Sequence, residues 1–240
     1  MRDTVSVLGI KVDRVTMADA ERRAWEMTQQ GGAVYTPNPE IIMAAYRDAD
    51  YGTVLNRADM VVPDGIGVVW ASKILKKPVP ERVAGFDLVC NILKRAAEEG
   101  KSVYIFGGKE GVAKQAAENI KSDFKAKIAG YEHGYHKDTT CVVEDINAKN
   151  PDILLVCLGA PYQEKWIDQN RERLPKCLII GAGGSVDVLA GNTKRAPGFF
   201  IKLGMEWFYR LVTQPSRFIR MLDLPKFVLT VFFKGDRKNA

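Results

Sequence analysis

Histidine is almost absent from this 240-residue chain: there are two, His133 and His136. They share one short stretch, His-Gly-Tyr-His, with no nearby Cys or Glu-x-x-His context, and predict no metal centre. Cysteine is sparse as well. The four cysteines (Cys90, Cys141, Cys157 and Cys177) lack close ligand spacing. Cys157 and Cys177 stand inside apolar runs and read as buried free thiols of a reducing compartment. There is no P-loop, and Gly107-Gly108-Lys109-Glu110-Gly111 is a poor dinucleotide fingerprint. Internal repeats and low-complexity segments are missing. No apolar run approaches the roughly 20 residues needed to span a bilayer. The N-terminus enters polar, strand-like sequence directly, so no signal peptide is expected. Asp48-Ala49-Asp50 has the form of a metal-holding Asp-x-Asp pair. With 16 Asp in the chain, about one such spacing arises by chance, and this one closes a helix, so it reads as surface.

Charge is present but unevenly placed. The net charge is +6, and residues 199–240 hold eight Lys or Arg against three Asp or Glu. The rest is nearly neutral. A basic tail implies an anionic partner, either nucleic acid or a membrane surface.

Hydrophobic periodicity alternates between strand and helix along the chain. Residues 4–15 read as a strand or short hairpin. Thr16 caps a helix that Gly31-Gly32 stops. Ala33-Val34-Tyr35 is a short strand, and Asn38 with Pro39 opens the next helix. Ser102–Phe106, Asp152–Leu158 and Cys177–Ile180 read as strands apolar on both faces. The expected fold is α/β: a mostly parallel, Rossmann-like sheet covered by helices on both faces, with a C-terminal helical appendage. The expected division is a core over 1–195 and a basic amphipathic segment over 196–240.

In Met60-Val61-Val62-Pro63-Asp64-Gly65, an apolar strand is broken by proline and glycine, so Asp64 stands at the strand's carboxyl end. Open α/β sheets bind ligands there, and a carboxylate in that place can act as a general base. The plainer role is a cap on the following helix. The turns at Thr36, Asp64, Gly107, Gly159 and Gly181 all fall on one sheet edge. They are expected to line a single crevice suited to a nucleotide-type ligand.

A set of motifs in order then resembles one family. These are Thr36-Pro37-Asn38-Pro39-Glu40, Pro63-Asp64-Gly65, Glu81-Arg82-Val83-Ala84-Gly85, Phe106-Gly107-Gly108, the run from Gly159 to Trp166, the run from Gly181 to Asp187, the run from Ala190 to Pro197, and the run from Gly204 to Leu211. They resemble the WecG/TagA/CpsF family, glycosyltransferase family 26, from about residue 5 to residue 220. The resemblance implies an inverting transfer of N-acetylmannosamine from UDP to the 4-hydroxyl of N-acetylglucosamine on undecaprenyl diphosphate, a step of wall teichoic acid synthesis. It implies no cofactor and no metal. Another UDP-hexosamine or uronate as donor is the nearest alternative. A nucleic-acid-binding protein and a dinucleotide oxidoreductase are the distant ones.

On that resemblance Asp64 is the base, with Thr36 beside it at the reacting centre. Asn38, Arg82, Gly107, Gly108, Gln163, Gly183, Gly184, Asp187, Lys194 and Arg195 are expected at the substrates. Within this set, Gln163 would donate its amide to phosphate and Asp187 would accept from ribose or uracil. Trp166 reads as core. Without a metal the leaving diphosphate needs protein cations. Arg210, Arg217 and Arg220 in the tail are candidates, because arginine's planar fork binds two oxygens at once.

The acceptor's polyprenyl chain lies in lipid, so the expected partner surface is an anionic membrane on its cytoplasmic side, met peripherally. The seven-residue run Phe227–Phe233 is too short to span. It reads as lying on the bilayer, or alternatively as packed on the core or on a second copy in a homo-oligomer.

Overall fold

A computed structural model of the chain describes residues 2–202, 205–213 and 223–235. β1 (Thr4–Val7) and β2 (Ile10–Asp13) form an antiparallel hairpin. α1 (Met17–Gln30) follows. Thr16 caps it in a reciprocal box with Asp19, and Gly31 ends it at φ 78°. β3 (Gly32–Tyr35) leads into α2 (Pro39–Arg47), where Asn38 is the cap and Pro39 takes the first turn. Next come α3 (Ala49–Asn56), β4 (Met60–Val61), α4 (Ile66–Ile74) and α5 (Gly85–Glu98). β5 (Ser102–Gly107), α6 (Val112–Asn119), β6 (Lys127–Glu132), α7 (Thr140–Lys149) and β7 (Ile153–Cys157) continue the alternation. α8 (Tyr162–Asn170), β8 (Leu178–Gly181) and α9 (Ser185–Leu189) complete the sheet region. Among the described residues that follow are the helices α10 (Gly198–Lys202), α11 (Glu206–Thr213) and α12 (Asp223–Lys234).

Six strands form one parallel sheet in the order β4-β3-β8-β7-β5-β6. The strands alternate between two cores. Ala33, Tyr35, Leu154, Val156 and Ile179 face one hydrophobic cluster with the hairpin and residues of α2, α3, α7 and α8. Val34, Leu155, Leu178 and Ile180 face the other, with residues of α1, α5 and α6. Every residue of β5, β7 and β8 is buried, which accounts for their continuous apolar sequence. The expected α/β architecture is therefore present.

Two details position the carboxyl edge. Tyr35 pairs with both Val61 and Gly181, and Val156 also pairs with Gly181, so β3, β4, β7 and β8 end nearly level. Asp13, fully buried in the hairpin, accepts from Val61 N at 2.8 Å and is neutralised by Arg2 and Arg23. This buried ion cluster holds β4 three residues before Asp64. No sequence pattern had marked Asp13 out.

The tail divides its apolar residues. Phe227 and Val231, four apart on α12, are buried in the first core cluster, while Leu229, Phe232 and Phe233 are exposed. Arg47 Nη2 meets Asp223 Oδ1 at 2.6 Å and ties down the start of the helix. A Cβ on Gly67 would lie 2.7 Å from Pro39 Cγ and 2.9 Å from Leu224 Cδ1, so α12 rests on α4 at a gap that only glycine leaves. The run 227–233 therefore does not lie wholly on a bilayer. Helical periodicity sends one side to the core and the other outward.

Candidate active site

A cleft of about 550 Å³ opens at the carboxyl edge above β4, β3, β8 and the β7 turn. That volume is ordinary for a small-molecule site (about 300–1,000 Å³). All five turns were expected to line one crevice; four do, through Thr36, Asp64, Gly159 and Gly183, and the Gly107 turn does not.

Asp64 does not cap the helix that follows it, since Gly65 occupies that position at φ 89°. Its Oδ2 accepts from Gly85 N, the first residue of α5, at 3.2 Å. The carboxylate is half-buried on the cleft wall. Thr36 donates its hydroxyl to Gly181 O at 3.3 Å and so bridges β3 to β8. Gly85 is glycine for a local reason: a Cβ there would come within 2.8 Å of Thr36 Cβ. Asn38 lines the cleft and also fills its helix-capping role, accepting from Ile41 N at 3.0 Å.

Gln163 lines the cleft but is 3% exposed, and its amide is engaged within the protein. Nε2 donates to Glu164 Oε1 at 2.7 Å and Oε1 accepts from Gly183 N at 2.9 Å. The amide expected to reach phosphate thus holds a turn that lines the site. Glu164, which sequence reasoning passed over, lies behind it at 1% exposure and also accepts from the Tyr51 hydroxyl at 3.0 Å. Burial raises the Glu164 carboxyl above its usual range, against the pull of the two donors. The same burial, with the neighbouring Glu164 charge, pushes the Tyr51 phenol well above its ordinary value.

Arg82 and Arg195 bring positive charge to the cleft. Arg82 pairs with Glu206 of α11 at 3.3 Å, with both side chains less than one-fifth exposed. Arg195 pairs with Asp87 and lies 5.1 Å from the Phe86 ring centre. Glu206, Trp207, Asp223 and Leu224 also line the cleft, so α11 and α12 supply one of its walls. Arg210 lies on α11, and Arg217 and Arg220 fall outside the described residues.

Four expected residues do not line the cleft. Gly107 ends β5 and Gly108 follows it, and β5 lies beyond β7 in the sheet order. The loop after β6 covers this turn, with Gly134 N donating to Gly108 O at 2.9 Å. A Cβ on Gly107 would overlap the Cys157 backbone, so glycine is needed there for strand packing. Asp187 lies half-buried in α9, its backbone carbonyl accepting from Asn192 N and Thr193 N. Lys194 is exposed outside the lining.

Trp166 is core, as read. Its ring centre is 4.8 Å from that of Phe106 and its Nε1 donates to Thr139 at 2.9 Å. Asp48 is a helix cap paired with Lys165 at 3.1 Å, consistent with a surface role. Glu132 joins the two histidines, with candidate ligand atoms of all three within 4.8 Å. The imidazoles stack at 4.2 Å, and His133 Nδ1 accepts from Tyr135 N at 3.1 Å.

Comparison with known proteins adds a consistent result. The description "Glycosyl transferase WecG/TagA/CpsF family" matches residues 5–240. A Bacillus subtilis (strain 168) protein is 45% identical over 211 residues, 88% of this chain and 82% of the relative. A Bacillus spizizenii protein is 44% identical over 212 residues, with the same shares covered. A Staphylococcus aureus (strain NCTC 8325 / PS 47) protein is 32% identical over 239 residues, 98% of this chain and 94% of the relative. All three are named N-acetylglucosaminyldiphosphoundecaprenol N-acetyl-beta-D-mannosaminyltransferase. Neither the nucleic-acid nor the oxidoreductase reading is favoured by these relatives.

Proposed function

The chain belongs to the WecG/TagA/CpsF family of glycosyl transferases, and from that premise we propose that it moves N-acetylmannosamine from UDP to the 4-hydroxyl of N-acetylglucosamine on undecaprenyl diphosphate. The observation that carries the mechanism is the half-buried Asp64 carboxylate on the wall of the cleft, oriented by the Gly85 N–H at 3.2 Å. The acceptor oxygen attacks the anomeric carbon from the face opposite UDP. Its proton passes to Asp64. The bond from the anomeric carbon to the diphosphate oxygen breaks, and UDP leaves with the electron pair. One displacement inverts the configuration.

Arg82 and Arg195 suit the developing diphosphate charge, exchanging Glu206 and Asp87 for phosphate oxygens as donor enters. Thr36 and Asn38 suit sugar hydroxyls, and the Gly183-Gly184 turn allows close backbone approach.

The lipid acceptor requires a membrane surface. Among the described residues no helix is long and apolar enough to cross a membrane. The exposed Trp207, Phe208 and Val212 of α11 and Leu229, Phe232 and Phe233 of α12 suit peripheral docking beside the cleft. Arg210, Arg217 and Arg220 belong to the same stretch of sequence and suit anionic headgroups or the donor diphosphate.

The test offers several UDP-sugars with a lipid-diphosphate N-acetylglucosamine acceptor and measures UDP release. Release should be fastest with UDP-N-acetylmannosamine. Preference for another hexosamine or a uronate would move the chain to a different donor within the same family.

A further inference from the structure

The first turn of α8 carries a carboxylate that the proposed reaction does not use. Glu164 is 1% exposed and is not part of the cleft lining, yet two lining residues, Gln163 and Tyr51, donate to it. Buried carboxylates persist where donors satisfy them.

The polarity of this chain of bonds matters. Both side-chain oxygens of Glu164 accept, Oε2 from the Tyr51 hydroxyl and Oε1 from Gln163 Nε2 at 2.7 Å, so the amide of Gln163 turns its NH2 toward Glu164. Oε1 is then aimed the other way, where it accepts from Gly183 N at 2.9 Å. A primary amide has no strong preference of its own between its two flipped orientations. Flipped here, it would set an NH2 group against the Gly183 N–H. Nor is there slack in the packing: a Cβ on Gly181 would lie 3.2 Å from Gln163 Nε2. Gly183 sits at φ 50°, a turn conformation that needs holding.

We propose that Glu164 is a positioning residue for donor binding: through the Gln163 amide it holds the Gly183-Gly184 turn in the shape that receives the donor's diphosphate. The inference rests on the reading of this cleft as the UDP-sugar site. Glu164 itself touches no substrate. Tyr51 completes the arrangement by occupying the carboxylate's other oxygen, which leaves Oε1 for Gln163.

Glu164→Met removes both acceptor oxygens at similar length. Glu164→Gln keeps the size but leaves one mismatch, either two donors facing each other at Gln163 or a Tyr51 hydroxyl hydrogen without an acceptor. Gln163→Met breaks the same chain one link later. Two readouts apply, backbone hydrogen exchange at Gly183 in the ligand-free protein and calorimetric titration with UDP. For Glu164→Met, Gly183 exchange should quicken and the Kd for UDP should rise about tenfold, the loss of one well-formed hydrogen bond. KM for donor should rise with kcat within about threefold. Glu164→Gln should fall between this variant and the native protein, and Gln163→Met should match Glu164→Met.

Lowered thermal stability with native Gly183 exchange and native UDP affinity would make Glu164 a folding group only and overturn the proposal. If Glu164→Met does not fold, the other two variants decide: native Gly183 exchange in both overturns it. Because exchange needs no ligand, a native protein that ignores UDP refutes the reading of the cleft, while the exchange result still judges the role of Glu164 in holding the turn.

Discussion

Replacing Asp64 by Asn tests the chemistry with little change of shape. The Asn side-chain oxygen can still accept from Gly85 N, now 3.2 Å from Oδ2, so the start of α5 keeps its partner. What is lost locally is charge. A hydrogen bond to an ionised group contributes about 1.5–3 kcal/mol and a neutral one about 0.5–1.5, a difference near 1 kcal/mol that partial exposure reduces. In a chain of this length that is a fall in Tm of about 2–4 °C at most. The effect on rate is larger. Removing a general base costs roughly two to four orders of magnitude, equivalent to about 3–5 kcal/mol of barrier. Turnover should therefore collapse in a protein that remains folded. UDP release with saturating donor and acceptor measures the first quantity, thermal unfolding the second, and UDP calorimetry checks that donor binding is nearly unchanged. Near-normal turnover in the Asn variant would refute the assignment of Asp64. An equal fall in UDP affinity would place Asp64 in binding instead of proton transfer.

Further outcomes follow from other parts of the fold. Gly107→Ala forces a side chain into the Cys157 backbone at φ 134° and should destabilise by more than about 2 kcal/mol; a native Tm would contradict the packing role given to Gly107. Cutting the chain after residue 222 removes Phe227 and Val231 from the core and should cost about 3–6 kcal/mol, whereas Phe232→Ser with Phe233→Ser should preserve Tm and weaken binding to anionic liposomes. Loss of liposome binding only in the truncated chain would remove α12's outer face from the docking surface. Chelator should leave turnover intact, and a loss with EDTA restored by magnesium or manganese would reopen the Asp48-Ala49-Asp50 question. Burial would raise the Asp152 carboxyl, but Lys101 and the Ser102 N–H and hydroxyl outweigh it and hold the group below its ordinary value. Its stabilising contribution is therefore full above the unfolded carboxylate range and lost as pH falls through the folded value. Asp152→Asn should lower Tm at neutral pH and flatten the acid limb of a Tm-against-pH curve.

Local chemistry by itself determined much of this protein. Thr16 with Asp19, Asn38 with Pro39, and the glycine at 31 act within a few residues of their own positions, so helix ends were readable without the fold. Strands that are apolar throughout can only sit inside a sheet covered on both faces, and Asp64 after a broken strand can only stand at its end. The motifs in order were enough to indicate the family. The tertiary structure decided what depends on strand order and on contacts between distant elements. Sequence cannot say that β5 lies outside β7, and that order alone takes Gly107 and Gly108 away from the cleft. The exposed and buried sides of α12 were indistinguishable as composition, because Phe227 and Phe233 differ only in the direction they face. Polar contacts between remote elements were equally hidden: Arg82 pairs with Glu206, and the buried Asp13 accepts from Val61 N across 48 residues. Nothing in the sequence singled out Glu164. Only the packing of α8 against α3 and the end of β8 encloses it, and only enclosure makes the direction of each hydrogen bond compulsory, because water is no longer there to supply a substitute partner.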